Sequence, residues 1–112
     1  MTTNINEVLM NKCMSNYKYY QSKYGRKFSN MLNYSLQDKN FMIGGLTRYA
    51  NREDRWLFTT IFELCNSDYR GIPEMIILQY EEYFPQSTIA LVKERLNEWN
   101  VPYEQYLKEL GL

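Results

Sequence analysis

Residues able to do chemistry are scarce in this sequence. It contains no histidine, which removes the commonest general base, the commonest metal ligand and every histidine-based nucleophile system. Its two cysteines, Cys13 and Cys65, are too few and too far apart for a structural zinc site. Both fall on apolar helical stripes, where a free thiol behaves as a small hydrophobe rather than a nucleophile. Gly44-Gly45 lacks the Lys and Ser/Thr that a phosphate-binding loop requires. Glu81 and Glu82 are adjacent, so on a helix they diverge by about 100° and do not form an acid/base pair. These absences favour a non-catalytic protein without metal or cofactor, although a carboxylate pair assembled from distant helices is beyond the reach of sequence reading.

Charge and aromatic patterning is the richer signal. The stretch YKYYQSKYGRKF, residues 17–28, holds five aromatics and four cations and no acid. On a helical wheel, Leu9, Met10, Cys13, Met14, Tyr17, Tyr20 and Tyr24 gather within about 140°, which makes them the expected core face. Lys12, Asn16, Tyr19 and Lys23 fall on a separate strip about 60° wide. Lys12, Tyr19, Lys23, Arg26 and Lys27 therefore form a candidate contact set. Cations beside an exposed tyrosine suit phosphates with a stacking base, and they suit an acidic protein patch equally well. The plain alternative is a solvated lysine face with cations compensating the helix dipole.

The overall net charge is zero, yet it is unevenly spread. Residues 1–55 carry nine cations and four acids, and residues 56–112 carry four cations and nine acids. Glu81, Glu82, Glu94, Glu98, Glu104 and Glu109 form a second candidate contact set, able to present an acidic surface to a basic partner. The alternatives are an ordinary solvated helix surface, or two halves that neutralise each other inside the fold.

The elements that must carry these residues read as helices. Asn4 is an N-cap with Glu7 three residues later, and apolar residues then recur at helical spacing to a stop at Gly25, predicting a helix over 5–24. A second helix is expected over 28–37. The Gly44-Gly45 pair reads as a break between helices or a minor hairpin. Asn51 is expected to cap a helix through Cys65, and Pro73 to open another that ends before Pro85. Ser87 is the expected cap of the next helix, and Asn100 and Pro102 separate it from a last helix in YEQYLKEL. The expected fold is all-α, a compact array of five to six short helices forming one domain of 112 residues.

No leader or membrane-spanning run is evident, so a cytoplasmic location with free thiols is expected. Eleven asparagines against two alanines point to an AT-rich genome, such as that of a low-GC bacterium or a mobile element living in one. Three functions remain open. The first is a binding protein that occupies a partner protein's surface, of inhibitor, immunity or phage-accessory type. The second is a nucleic-acid-binding regulator, using the basic first helix or a helix-turn-helix at 74–99 with Gln86, Ser87 and Thr88 at the tip of its second helix. That segment's net negative charge argues against its meeting phosphates. The third is a subunit that self-associates through its opposed charge halves.

Overall fold

The computed structural model describes residues 4–25, 42–52, 59, 62–63 and 68–111. Within them the chain is all-α: α1 (Ile5–Tyr24), α2 (Met42–Asn51), α3 (Pro73–Gln79), α4 (Gln86–Glu98) and α5 (Tyr103–Glu109), with a 3₁₀ turn at Glu81–Tyr83 and no strand among the described residues. The expected all-α array is therefore what is found. Its radius of gyration is 13.2 Å, the size of a compact chain of this length. No described helix is long and apolar enough to cross a membrane.

α1 starts and stops where its sequence signals lie. Asn4 is the N-cap, its side-chain oxygen accepting the Asn6 amide at 3.0 Å, and Gly25 ends the helix at φ +95°. Leu9, Cys13 and Tyr20 are buried along it, while Tyr17 and Tyr24 are half-buried against the core. Met14, expected inward, is exposed.

The break expected at Gly44-Gly45 does not occur. Both glycines lie inside α2. Met42, Leu46, Tyr49 and Ala50 follow at i, i+4, i+7 and i+8, and all four are buried. Burying that stripe outweighs a glycine penalty of about 1 kcal/mol per residue. α2 also borrows its N-cap: the Asn6 side-chain oxygen on α1 accepts the amides of Met42 at 2.9 Å and Ile43 at 3.4 Å. Asn51 is the last residue of α2 rather than the start of another helix. Of the helix expected from there to Cys65, Thr59, Phe62 and Glu63 are described and are helical. The helix expected over 28–37 lies outside the described residues.

α3 is the centre of the array, packing against each of the other four helices. Pro73 stands at its first position, as its sequence suggests, and every residue from Pro73 to Leu78 is buried. α4 begins two residues earlier than expected, with Pro85 rather than Ser87 at the N-cap. It ends in a Schellman motif: Asn100 at φ +58°, Val101 N–H to Leu96 C=O at 2.9 Å, and Asn100 N–H to Asn97 C=O at 3.1 Å.

A buried polar cluster joins α2, α3 and α4. Glu74 is 0% exposed. Tyr49 donates its hydroxyl to Glu74 at 2.8 Å, and Arg95 donates to Glu74 at 3.1 Å and to the Ala50 carbonyl at 2.8 Å. Burial pushes the Glu74 carboxyl above the ordinary range, and Arg95 and Tyr49 oppose it. Glu74 and Arg95 are thus interior groups and belong to no partner-facing charge surface.

Candidate functional site

The strip that the helical wheel separates from the core face forms one wall of a groove. Lys12, Asn16 and Tyr19 line it from α1. Tyr106, Glu109 and Leu110, at i, i+3 and i+4, line the opposite wall at the end of α5. Asp68, Arg70 and Gly71 form the floor, and Gln79, the last residue of α3, also lines the groove. The volume is about 310 Å³.

The floor is held by α1 itself. Tyr20, fully buried, donates its hydroxyl to the Asp68 carbonyl at 2.6 Å and accepts the Gly71 amide at 3.0 Å. Asn16 donates its side-chain amide to the Gly71 carbonyl at 3.2 Å. A methyl group at Gly71 would stand 3.0 Å from the Tyr20 ring and 3.2 Å from Asn16, so a glycine permits this approach of loop to helix.

The Asp68 carboxylate collects the exposed end of α1. It accepts the Tyr19 hydroxyl at 2.5 Å and the Tyr24 hydroxyl at 3.3 Å, and it pairs with the Lys23 ammonium at 3.4 Å. Lys23 also donates to the Tyr19 hydroxyl at 3.2 Å and lies 5.5 Å from the centres of both the Tyr19 and Tyr24 rings. The Tyr19 hydroxyl first, and then Asp68, raise the Lys23 pKa above its ordinary value. The tyrosine-rich stretch is thereby a clamp on the 68–71 loop, and Lys23 is committed to it.

Across the groove, Arg70 lies over the Tyr106 ring, 4.3 Å from its centre, and donates to Glu109 at 3.1 and 3.4 Å. This contact with Arg70 holds the Glu109 carboxyl below the ordinary range. Lys12, half-buried on the wall, has no pairing acid among the described residues. Among the described residues it is the groove's cation without an ion-pair partner. Tyr19 is 48% exposed and Leu110 50%, so an aromatic and an aliphatic rim flank that charge.

The groove brings together Lys12 and Tyr19 from the basic set and Glu109 from the acidic set. Lys23 lies beside it on Asp68. Arg26 and Lys27 lie outside the described residues. Glu81 and Glu82 are exposed on the 3₁₀ turn, and Glu94 and Glu98 on the solvent side of α4. Glu104 lines a second, shallower depression between the α4–α5 corner and Lys108. Sequence reading missed Asp68, Arg70 and Tyr106. The first two sit in a loop, where no periodicity marks a functional position. Tyr106 shares its spacing with Glu109 and Leu110, the one signal that was available.

Thr88, expected at the tip of a recognition helix, is fully buried, and its hydroxyl donates to the Asn51 side chain at 3.2 Å. Cys13 is buried as expected, and burial pushes its thiol up to about 12. Among the described residues, no group of three His, Cys, Asp or Glu is placed to hold a metal ion.

No family model, curated protein or solved structure matches the chain at a significant level.

Proposed function

We propose that the chain is a non-catalytic cytoplasmic binding protein that acts by occupying the surface of a partner protein, of inhibitor, immunity or phage-accessory type. The groove between α1 and α5 is the seat for a segment of that partner. The observation that carries this reading is the mixture of groups in the groove. An unmatched cation, Lys12, stands beside an exposed tyrosine and an exposed leucine, and all three share the groove with Asp68 and Glu109. A protein segment offers a carboxylate next to an apolar side chain and fits that mixture. A run of phosphates needs a row of cations, and among the described residues the groove offers Lys12 alone without a pairing acid, since Arg70 is paired with Glu109.

The missing histidine and the enclosure of Glu74 by Tyr49 and Arg95 support a non-catalytic role. The burial of Thr88 weighs against the helix-turn-helix form of nucleic-acid binding. Titration of labelled mixed-sequence DNA and RNA over a range of salt concentrations separates the two readings. No binding at low salt is expected; tight, salt-sensitive binding lost on Lys12→Glu would favour the nucleic-acid function instead. The direct test is a photo-crosslinking residue at Leu110 in the source cell, with the same residue at Glu94 as control. An adduct with a different protein at Leu110 alone is expected. An adduct with nucleic acid, with a second copy of the chain only, or with nothing would contradict the proposal.

A further inference from the structure

We propose that the groove of one copy also receives the Glu81–Glu82–Tyr83 turn of a second copy, the two copies closing a two-fold dimer in which Lys12 of each meets an acid of the other. This rests on reading the groove as a seat for a protein segment and names one segment that fits it.

The turn offers Lys12 the acid that the groove's own carboxylates, paired with Lys23 and Arg70, do not supply. Glu81 and Glu82 are exposed, Tyr83 is 45% exposed, and none of the three side chains has a partner among the described residues. Two carboxylates beside an aromatic ring match an uncompensated ammonium beside apolar rims. The turn is also held in place before any contact is made. Leu78 precedes it and Phe84 follows it, both buried in the core, and its amides are bonded locally, Tyr83 N–H to the Tyr80 carbonyl at 3.0 Å and Phe84 N–H to the Glu81 carbonyl at 3.1 Å. Little ordering entropy is lost when so rigid a knob docks.

Position supplies the second argument. Gln79 lines the groove, and Glu81 follows it by two residues, so the turn begins within about 7 Å of chain from the groove's lining. A patch that carries both is self-complementary under a two-fold axis, and the contact is made twice per dimer. The zero net charge leaves no overall repulsion between copies at neutral pH.

Sedimentation of the full chain over a range of concentrations, at low and high salt, reads the association. The weight-average mass should rise from 13.6 kDa toward twice that value at low salt and fall back at high salt. Lys12→Glu alone, and Glu81→Lys with Glu82→Lys, should each give monomers, since each makes both seats like-charged. An equimolar mixture of the two variants should restore the dimer, because every seat then joins opposite charges. Far-ultraviolet circular dichroism of each variant checks that these surface changes leave the helices intact. A monomer at every concentration, or a dimer indifferent to the swaps, would overturn the proposal. A monomer that still forms an adduct with another protein at Leu110 would remove the dimer alone and leave the function proposed above standing.

Discussion

Asp68 accepts the hydroxyl of Tyr19 at 2.5 Å and so anchors the exposed tyrosine of α1 to the loop that enters α3. The same carboxylate takes Tyr24 and Lys23, and its backbone carbonyl takes Tyr20. Of the basic contact set expected from the sequence, Tyr19 and Lys23 are thereby engaged in closing the fold. Lys12 escapes this, and the groove it lines is where the remaining surface chemistry collects.

Replacing Asp68 by Ala leaves the hydroxyls of Tyr19 and half-buried Tyr24 without this acceptor, while Tyr20 and Asn16 still hold the loop backbone. A loss of about 1–2 kcal/mol is expected in urea unfolding. Lys23→Ala should leave the midpoint unchanged, because that ammonium is solvent-exposed and its pair is screened.

Arg95→Met should be far more costly, about 3–5 kcal/mol, since it leaves the Glu74 carboxylate buried beside Tyr49 without its cation. The pH dependence has a defined sign. Burial raises the folded-state pKa of Glu74 above its ordinary value of 4.5. The folded chain then holds that proton more tightly than the unfolded chain, and its stability contribution is present below the ordinary value and lost as pH rises toward the raised one. Removing Arg95 removes a group that opposes the shift, so the variant's stability should fall more steeply with pH above 4.5 than that of the parent. Adding Glu74→Gln should abolish that extra slope. Unfolding midpoints measured across this range decide the matter.

Two glycines should respond in opposite directions. Gly71→Ala forces a methyl group against the Tyr20 ring, which is itself fixed by two hydrogen bonds, and should cost about 1–3 kcal/mol. Gly45→Ala adds a methyl group with nothing within 4 Å among the described residues, inside a helix, and should stabilise by about 0.5–1 kcal/mol. Thermal unfolding of both variants is the check.

Cys13 is 3% exposed, and its thiol pKa is pushed up to about 12. In a Cys65→Ser background it should resist thiol reagents at mildly alkaline pH and label at once on addition of denaturant. Labelling of the native protein at the rate of a free thiol would contradict the packing of α1 against the core.

Much of the fold is legible in local sequence. Asn4, Gly25, Pro73 and Asn100 each punctuate a helix by the chemistry of their own side chain or backbone. What was illegible is non-local. The cap of α2 is Asn6, which lies 36 residues before Met42 in the chain. Gly44 and Gly45 stay helical because Met42, Leu46, Tyr49 and Ala50 are buried by other helices, which no propensity reveals. Glu74 and Arg95 look like surface charges in sequence, since charged side chains are almost never fully buried unless paired, and their pairing is tertiary. The groove follows the same pattern. Its α1 wall of Lys12, Asn16 and Tyr19 could be read from helical spacing, whereas Arg70 and Asp68 become part of it through a loop placed by Tyr20.

The most direct measurement is the yield of the Leu110 photo-adduct in the source cell, compared among the parent chain, Lys12→Glu and Lys18→Glu. Lys18 is an exposed cation of α1 outside the groove. A defined adduct with another protein that is lost on Lys12→Glu and retained on Lys18→Glu is the expected result. Equal yields in all three chains would show that the groove's unmatched charge plays no part in recognition, and would contradict the proposed seat.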